Sequence, residues 1–270
     1  MASIAQTIRS RTSVRTFDGN PLTPQDRADL EGFLSHVETP FGVPVEFRML
    51  DVAEHGLKSP VIVGAHTYVA AKAVRQEGAE LSLGYAFERF CLYAAEHGMG
   101  SVMLAASLGR KAFEEAMEVG ADEVMPVASP VGYPAQRRSL RGNMMRKAIR
   151  SDERLPFGKV FFADAFTTPL SPSDAGRFAE PLELLRLAPS ATNKQPWRVV
   201  LSGGTVHFFE ERTLKESDLG DIQKVDMGIA LAHFDLARQE IGIEGSFVTR
   251  DPGIATPKGV EYITSFEATA

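Results

Sequence analysis

The sequence predicts an α+β fold in which helices flank a mixed, mostly antiparallel sheet, and it predicts that this fold is internally duplicated. Two observations carry the prediction: long amphipathic helical segments alternate with short strands and hairpins, and two pairs of similar segments recur at a nearly constant spacing. Neither Gly-x-Gly-x-x-Gly after a strand nor Gly-x-x-x-x-Gly-Lys-Ser/Thr occurs, which excludes the two common nucleotide-binding loops.

The first repeated segment is a helix start. Pro-Leu-Thr-Pro at residues 21–24 recurs as Pro-Leu-Ser-Pro at 169–172, 148 residues later. In each copy the hydroxyl residue, Thr23 or Ser171, is a predicted N-cap, and the following proline suits the first helical position.

The second repeated segment is a long helix. Residues 84–98 and 228–242 each begin and end with glycine, carry apolar residues at helical spacing, and lie 144 residues apart. The closing glycines, Gly98 and Gly242, are predicted helix stops. We interpret the repeats as two halves, 1–165 and 166–270, packed about a pseudo-twofold axis. Coincidence between two generic amphipathic helices is the alternative.

Strands are predicted where apolar, β-branched runs lie between turn signals, and Gly203-Gly204 predicts a hairpin. The predicted strands are 45–50, 61–66, 125–131, 159–162, 197–201 and 205–209, with edge strands at 244–249 and 260–266.

Composition narrows the class of protein. The 270 residues are 44% hydrophobic and 24% charged, as in ordinary globular proteins. A net charge of −6 without a basic stripe argues against a nucleic-acid partner. The single cysteine, Cys91, excludes an internal disulfide, and no apolar run is long enough for a membrane span. The arginine-rich first 16 residues suit a transit peptide, but a helix start follows directly, so a cytoplasmic location is expected.

The most informative segment is the polar loop at residues 187–198. It places Ser190, Thr192, Asn193 and Gln195 between two prolines, after a helical run at 181–187 and before a predicted strand. Such a loop suits a rigid hydrogen-bonding surface for a polar cofactor. The alternative is an ordinary helix-to-strand turn that ends in a core tryptophan.

Together with Arg-Ser-Arg-Thr-Ser-Val-Arg at 9–15, this loop resembles the nitroreductase family of FMN-dependent oxidoreductases. Members of that family have an Arg-x-Ser-x-Arg type motif near the start and a Pro-Ser-x-x-Asn-x-Gln-Pro-Trp loop. The segments at 98–101, 130–134 and 154–156 resemble later parts of the family core. The resemblance implies a nitroreductase-like fold, of the long single-chain branch.

The order of the motifs departs from the usual one. Family members are homodimers in which one subunit gives the arginine motif and the other gives the loop. Here the first half has residues 38–44 at the loop position, with neither Asn nor Gln, and the second half lacks the arginine motif. The resemblance therefore implies a fused pseudo-dimer that keeps one FMN site.

The resemblance also implies roles for individual residues. Arg11 and Arg154 would bind the phosphate, Thr12 and Ser13 would donate hydrogen bonds nearby, and Arg15 would reach the ribityl chain or the pyrimidine edge. The alternative for the arginines is a solvated helix end. From the second half, the residues expected to contact the ribityl hydroxyls or the ring are Pro189, Ser190, Thr192, Asn193 and, less directly, Gln195, whereas Trp197 is expected in the core.

The implied activity is ping-pong two-electron transfer from NADH or NADPH, through FMN, to an electron-poor small molecule such as a nitroaromatic or a quinone. Alternatives are a non-catalytic FMN carrier or sensor, or the same fold performing dehydrogenation, dehalogenation or flavin breakdown. His66, His97, His207 and His233 are interpreted as structural. Residues 137–150 and 211–225 are candidate lids. A monomer acting as a pseudo-dimer, or a weak homo-oligomer, is expected.

Overall fold

The computed structural model describes residues 2–136, 153–217 and 220–269. The helices are α1 (Ile4–Ser10), α2 (Pro24–Leu34), α3 (Val52–His55), α4 (Ala79–Glu96), α5 (Arg110–Ala116), α6 (Phe157–Val160), α7 (Ala179–Arg186) and α8 (Ile222–Glu240). The strands are β1 (Glu46–Asp51), β2 (Thr67–Val74), β3 (Gly100–Ser101), β4 (Glu123–Val124), β5 (Ala128–Gly132), β6 (Phe161–Ala163), β7 (Trp197–Ser202), β8 (Thr205–Glu211), β9 (Gly245–Val248) and β10 (Val260–Ala268).

The strands form two sheets with the same internal order. The first sheet has the order β1-β2-β5-β3, with β4 also pairing with β2, and the second contains β7-β8-β10-β9 in the equivalent positions. These pairings are antiparallel. The repeated order confirms both the α+β class and the internal duplication.

One strand of the first half joins the sheet of the second half. Strand β6 follows the first sheet in the chain, yet it pairs in parallel with β7 of the second sheet. One continuous apolar core includes Phe87 of α4, Phe208 of β8 and Phe234 of α8, all fully buried. The two sheets therefore share one core.

Helices α4 and α8 form the seam between the halves, and glycines allow their close approach. A Cβ added at Gly84 would lie under 3.0 Å from the carbonyl oxygen of Val225, and one at Gly228 equally close to that of Leu81. Residues 81 and 84 correspond to 225 and 228 in the duplication, so the contact is made twice, about a pseudo-twofold axis.

Both predicted glycine helix stops are confirmed, whereas only one of the two predicted N-caps begins an α-helix. Gly98 and Gly242 have left-handed φ of +75° and +74° and follow the two seam helices, as predicted. Thr23 caps α2 by accepting from the backbone of Asp26. Ser171 was expected to do the same, but it caps only a turn. Gly176, with φ +54°, interrupts the helical conformation, and the α-helix begins at Ala179.

One predicted strand was wrong. Residues 61–66 form only an isolated bridge at Val63, and the central strand β2 runs over Thr67–Val74 instead. Its sequence contains three alanines, which have weak strand propensity, and burial between β1 and β5 determines its conformation. The predicted strand at 159–162 begins as the short helix α6.

Candidate functional site

The arginine motif lies extended along the first sheet. The backbone of Val14 donates to the carbonyl of Ser101 in β3 at 2.9 Å, and Val63 donates to the carbonyl of Arg15 at 3.0 Å. A side chain at position 100 would collide with Val14, because a Cβ on Gly100 would lie 2.7 Å from it. The motif is therefore part of the folded body, which is the arrangement expected of an attached N-terminal segment.

Arg11 is a largely enclosed charge of this motif, since its side chain is only 10% exposed. Its Nε lies 3.5 Å from Oε1 of Glu88 on α4. Within the described ranges, this ion pair is the one charge contact of the guanidinium and it is not a hydrogen bond, so Nε is buried without a hydrogen-bond partner and the Nη atoms also lack an acceptor there. The hydroxyls of Thr12 and Ser13 likewise have no hydrogen-bond partner among the described residues. An inward-held cation with unused donors is a suitable anion site.

The loop between α7 and β7 has a constrained backbone. Thr192, Asn193 and Gln195 have positive φ of 49°, 57° and 51°, a conformation that residues other than glycine rarely adopt. Two backbone N–H groups hold it: that of Gln195 donates to the Ser190 hydroxyl at 2.9 Å, and that of Ala191 is shared between the two carboxyl oxygens of Asp226 at 2.9 Å and 3.1 Å. These bonds hold the loop in its strained conformation.

Three of the predicted site residues meet directly. Arg154 donates through Nη1 to Oδ1 of Asn193 at 3.3 Å and through Nη2 to the carbonyl of Leu187 at 3.0 Å. The Gln195 side chain donates to the carbonyl of Asn193 at 3.3 Å and accepts from the backbone of Leu155 at 2.8 Å. The segment that leads into α6 is thus fastened to the polar loop. Trp197 is fully buried, which confirms its predicted place in the core.

A chain of contacts joins the arginine motif to the same loop. Glu88 accepts from Nε2 of His233 on α8 at 2.8 Å, and Nδ1 of His233 lies 2.9 Å from the carbonyl oxygen of Leu184 on α7. Helix α7 runs directly into the loop. Glu88 could not be predicted from the sequence, because a glutamate in a helix is ordinarily solvated and no local pattern marks this one as buried.

Three buried carboxyl groups lie behind the loop: Glu210, Asp221 and Asp226. Glu210 is directly opposite Trp197 in the β7–β8 register, and Arg212 Nε is 3.9 Å from its carboxylate. Burial, reinforced by the charge of Asp221, raises the pKa of Glu210 to about 7. Burial also raises the pKa of Asp226 well above its ordinary value, although the bond from Ala191 opposes this.

We expect Glu210 to make the protein less stable as pH rises. Its pKa rises from the ordinary 4.5 to about 7 in the folded state, so the unfolded chain releases this proton first, and stability falls across that interval. Glu210→Gln removes the titration. Between pH 5 and 8 the wild type should lose about 2 kcal/mol of unfolding free energy relative to the variant, measured by urea denaturation. The exposed Glu216→Gln is the control; an E210Q profile parallel to wild type would contradict the assignment.

In the described part of the chain, no group of three or more His, Cys, Asp and Glu side chains is arranged to bind a metal ion. No helix within the same ranges is both long and apolar enough to traverse a bilayer. The candidate lid at 137–150 lies outside the described residues. In the second candidate, residues 213 and 214 donate to the side chain of Gln223 at the start of α8.

Comparison with known proteins agrees with this fold. Residues 3–238 match the protein family described as "Putative TM nitroreductase". The structure is similar to that of a nitroreductase-type protein from Thermotoga maritima, with a TM-score of 0.65 and 21% identity over 98% of this chain and 93% of that one. A nitroreductase with bound FMN from Bacteroides fragilis matches at 18% identity and TM-score 0.43, over 52% of this chain and 92% of that one. The curated proteins gave no match.

The fold and the family match define a protein of the nitroreductase class. The chain belongs to the family described as "Putative TM nitroreductase", in the long single-chain form in which both halves of the pseudo-dimer are joined.

Proposed function

We propose that this protein is an FMN-dependent NAD(P)H oxidoreductase of nitroreductase type that binds one FMN between its halves, 1–165 and 166–270. The observation that carries the proposal is Arg11, a largely enclosed guanidinium that pairs with Glu88 but has no hydrogen-bond acceptor among the described residues, its Nε being buried without a partner. A phosphate fits these donors, because two parallel N–H groups of arginine match two phosphate oxygens.

The other expected site residues fit the rest of a flavin nucleotide. Thr12 and Ser13 keep unused hydroxyls beside Arg11. From the second half, Pro189, Ser190 and Thr192 form part of the strained loop. That loop is held from behind, so its polar groups are already placed before a ligand arrives. Rigid placement of this kind lowers the ordering cost of binding.

When bound, FMN supplies the two-electron chemistry between NADH or NADPH and an electron-poor acceptor such as a nitroaromatic or a quinone. The protein supplies position and electrostatics. Arg11 would hold the phosphate and Arg15 would bring a positive charge toward the ring. Arg154, for which a phosphate role was expected, would instead keep Asn193 in place, and the backbone of Leu155 would hold the side chain of Gln195.

The equivalent place in the other half is filled differently. Residues 38–44 connect α2 to β1, as the polar loop connects α7 to β7. There the ring of Phe41 packs edge-on against Tyr85, with centroids 5.7 Å apart, and against Phe247 at 5.4 Å. An aromatic ring offers no hydrogen bond to a phosphate or a ribityl chain. We therefore propose that this second site is lost.

We expect the purified holoprotein to be yellow and to contain one FMN per chain, measured from the ratio of flavin to protein absorbance. Anaerobic NADH or NADPH should bleach the flavin, and a nitroaromatic or quinone should restore its colour. Free FMN at equal concentration is the control. A ratio near two would contradict the loss of the second site. Bound flavin that neither nucleotide bleaches would favour the carrier or sensor alternative.

A further inference from the structure

Three charged side chains meet inside the seam between the halves: Arg11, Glu88 and His233, called the seam triad below. Their side chains are 10%, 0% and 1% exposed. Glu88 Oε1 lies 2.8 Å from His233 Nε2 and 3.5 Å from Arg11 Nε, so one carboxyl oxygen faces both side chains. The other oxygen, Oε2, is buried with no hydrogen-bond partner in the described part of the chain.

The net charge of the seam triad follows from its hydrogen bonds. Nδ1 of His233 faces the carbonyl oxygen of Leu184, which can only accept, so Nδ1 carries a proton. A second proton lies between Nε2 and Glu88. Whether it resides on the ring or on the carboxyl group, the Glu88–His233 pair is neutral, and the triad has the charge of Arg11 alone, +1. The neighbouring Cys91 adds no charge, because burial raises the pKa of its thiol to about 12.

We propose that Glu88 and His233 are positioning residues for phosphate recognition by Arg11. Glu88 attracts the guanidinium from its Nε side, as an ion pair at 3.5 Å and not a hydrogen bond, and leaves the Nη atoms for the ligand. His233 neutralises Glu88, so that the carboxylate does not cancel the positive charge that Arg11 presents. This inference rests on the proposed FMN site and deepens it: the seam triad selects a flavin that carries a phosphate over one that does not.

His233 bridges helix α7 and Glu88. Its Nδ1 is bonded to α7, which runs into the polar loop, and its Nε2 reaches Glu88 on the opposite seam helix. The group that neutralises Glu88 therefore also connects the phosphate end of the proposed site with the loop that would contact the rest of the flavin.

The test compares FMN with riboflavin, which has the same ring and ribityl chain but no phosphate. Apoprotein is titrated with each flavin, and quenching of flavin fluorescence gives two dissociation constants. In His233→Asn the amide can still donate to Leu184 or Glu88, but the triad charge falls from +1 to 0 because Glu88 then opposes Arg11 directly. We expect FMN affinity to fall on the order of tenfold and riboflavin affinity to stay within about twofold.

The double variant E88Q/H233N is the matched control. It removes the negative charge as well, returns the triad to +1 and leaves an amide oxygen for Arg11 Nε, so most of the preference for FMN over riboflavin should return. A merely structural role of His233 predicts the opposite, namely equal weakening of both flavins and a double variant worse than the single one. His233→Gln repeats the test if the asparagine variant does not fold.

The outcomes separate the two proposals. Wild-type apoprotein that binds neither flavin overturns the FMN site and this inference with it. Wild-type protein that prefers FMN, together with an unchanged FMN-to-riboflavin ratio in both His233 variants, overturns only the role given to the seam triad.

Discussion

Replacing Gly84 or Gly228 by alanine is expected to destabilise the protein more than any other single methyl addition within the seam helices. Each glycine faces a backbone carbonyl of the opposite helix, and the added Cβ would lie under 3.0 Å from it. Backbone oxygen cannot rotate away as a side chain can, so the two helices must separate along their whole contact. Overpacking of this kind costs about 1–3 kcal/mol and occasionally more, and here we expect at least 3 kcal/mol.

The matched control is Gly32→Ala in α2. Gly32 is also inside a helix, but it is exposed and a Cβ there would meet nothing within 4 Å. Alanine should stabilise that helix by about 0.5–1 kcal/mol through its higher helix propensity. Urea denaturation measures all three variants. Seam variants as stable as the wild type would show that α4 and α8 are not in close contact, and the pseudo-twofold arrangement would then need revision.

The seam also shows how far the sequence could predict the fold. The matched glycines at 84–98 and 228–242 identified both central helices and their ends, because a glycine helix stop is a local signal. The same pattern could not show that Gly84 and Gly228 face one another, since that depends on how two distant helices pack. Strand β2 was missed for a related reason: its alanines carry little local preference, and burial determines its conformation.

The candidate site likewise contains residues that could be predicted from local sequence and residues that could not. The polar loop and the arginine motif were recognisable because unusual residue types cluster within short segments. Glu88 and Asp226 were not, because each is a single carboxylate in a helix and only the fold shows that it is buried. Such residues act through others, Glu88 through Arg11 and Asp226 through the backbone of Ala191. Because such residues are placed by the fold, they form no regular sequence motif by which they could be predicted.

Arg11→Ala is expected to weaken FMN binding by about 100-fold and riboflavin binding hardly at all. The variant removes the charge-assisted hydrogen bonds proposed for the phosphate, and two bonds of that kind are worth about 3 kcal/mol. Folding should be little affected, since Glu88 keeps His233 as its partner. The matched control is Arg9→Ala, which removes a nearby arginine that pairs with Glu180 at the surface. Its FMN affinity should equal that of the wild type.

Asn193→Ala tests the opposite half of the site, and we expect its effect on the two flavins to differ from that of Arg11→Ala. Asn193 bonds to the carbonyl of Glu153 and to Arg154, and its left-handed φ of 57° is one that asparagine tolerates better than alanine. Alanine would loosen the loop as a whole, so FMN and riboflavin should both weaken, by about tenfold. Titration of the apoproteins separates the two effects. If neither Arg11→Ala nor Asn193→Ala changed flavin affinity, the flavin could not lie between these two segments, because each would then be dispensable to the contact it is proposed to make.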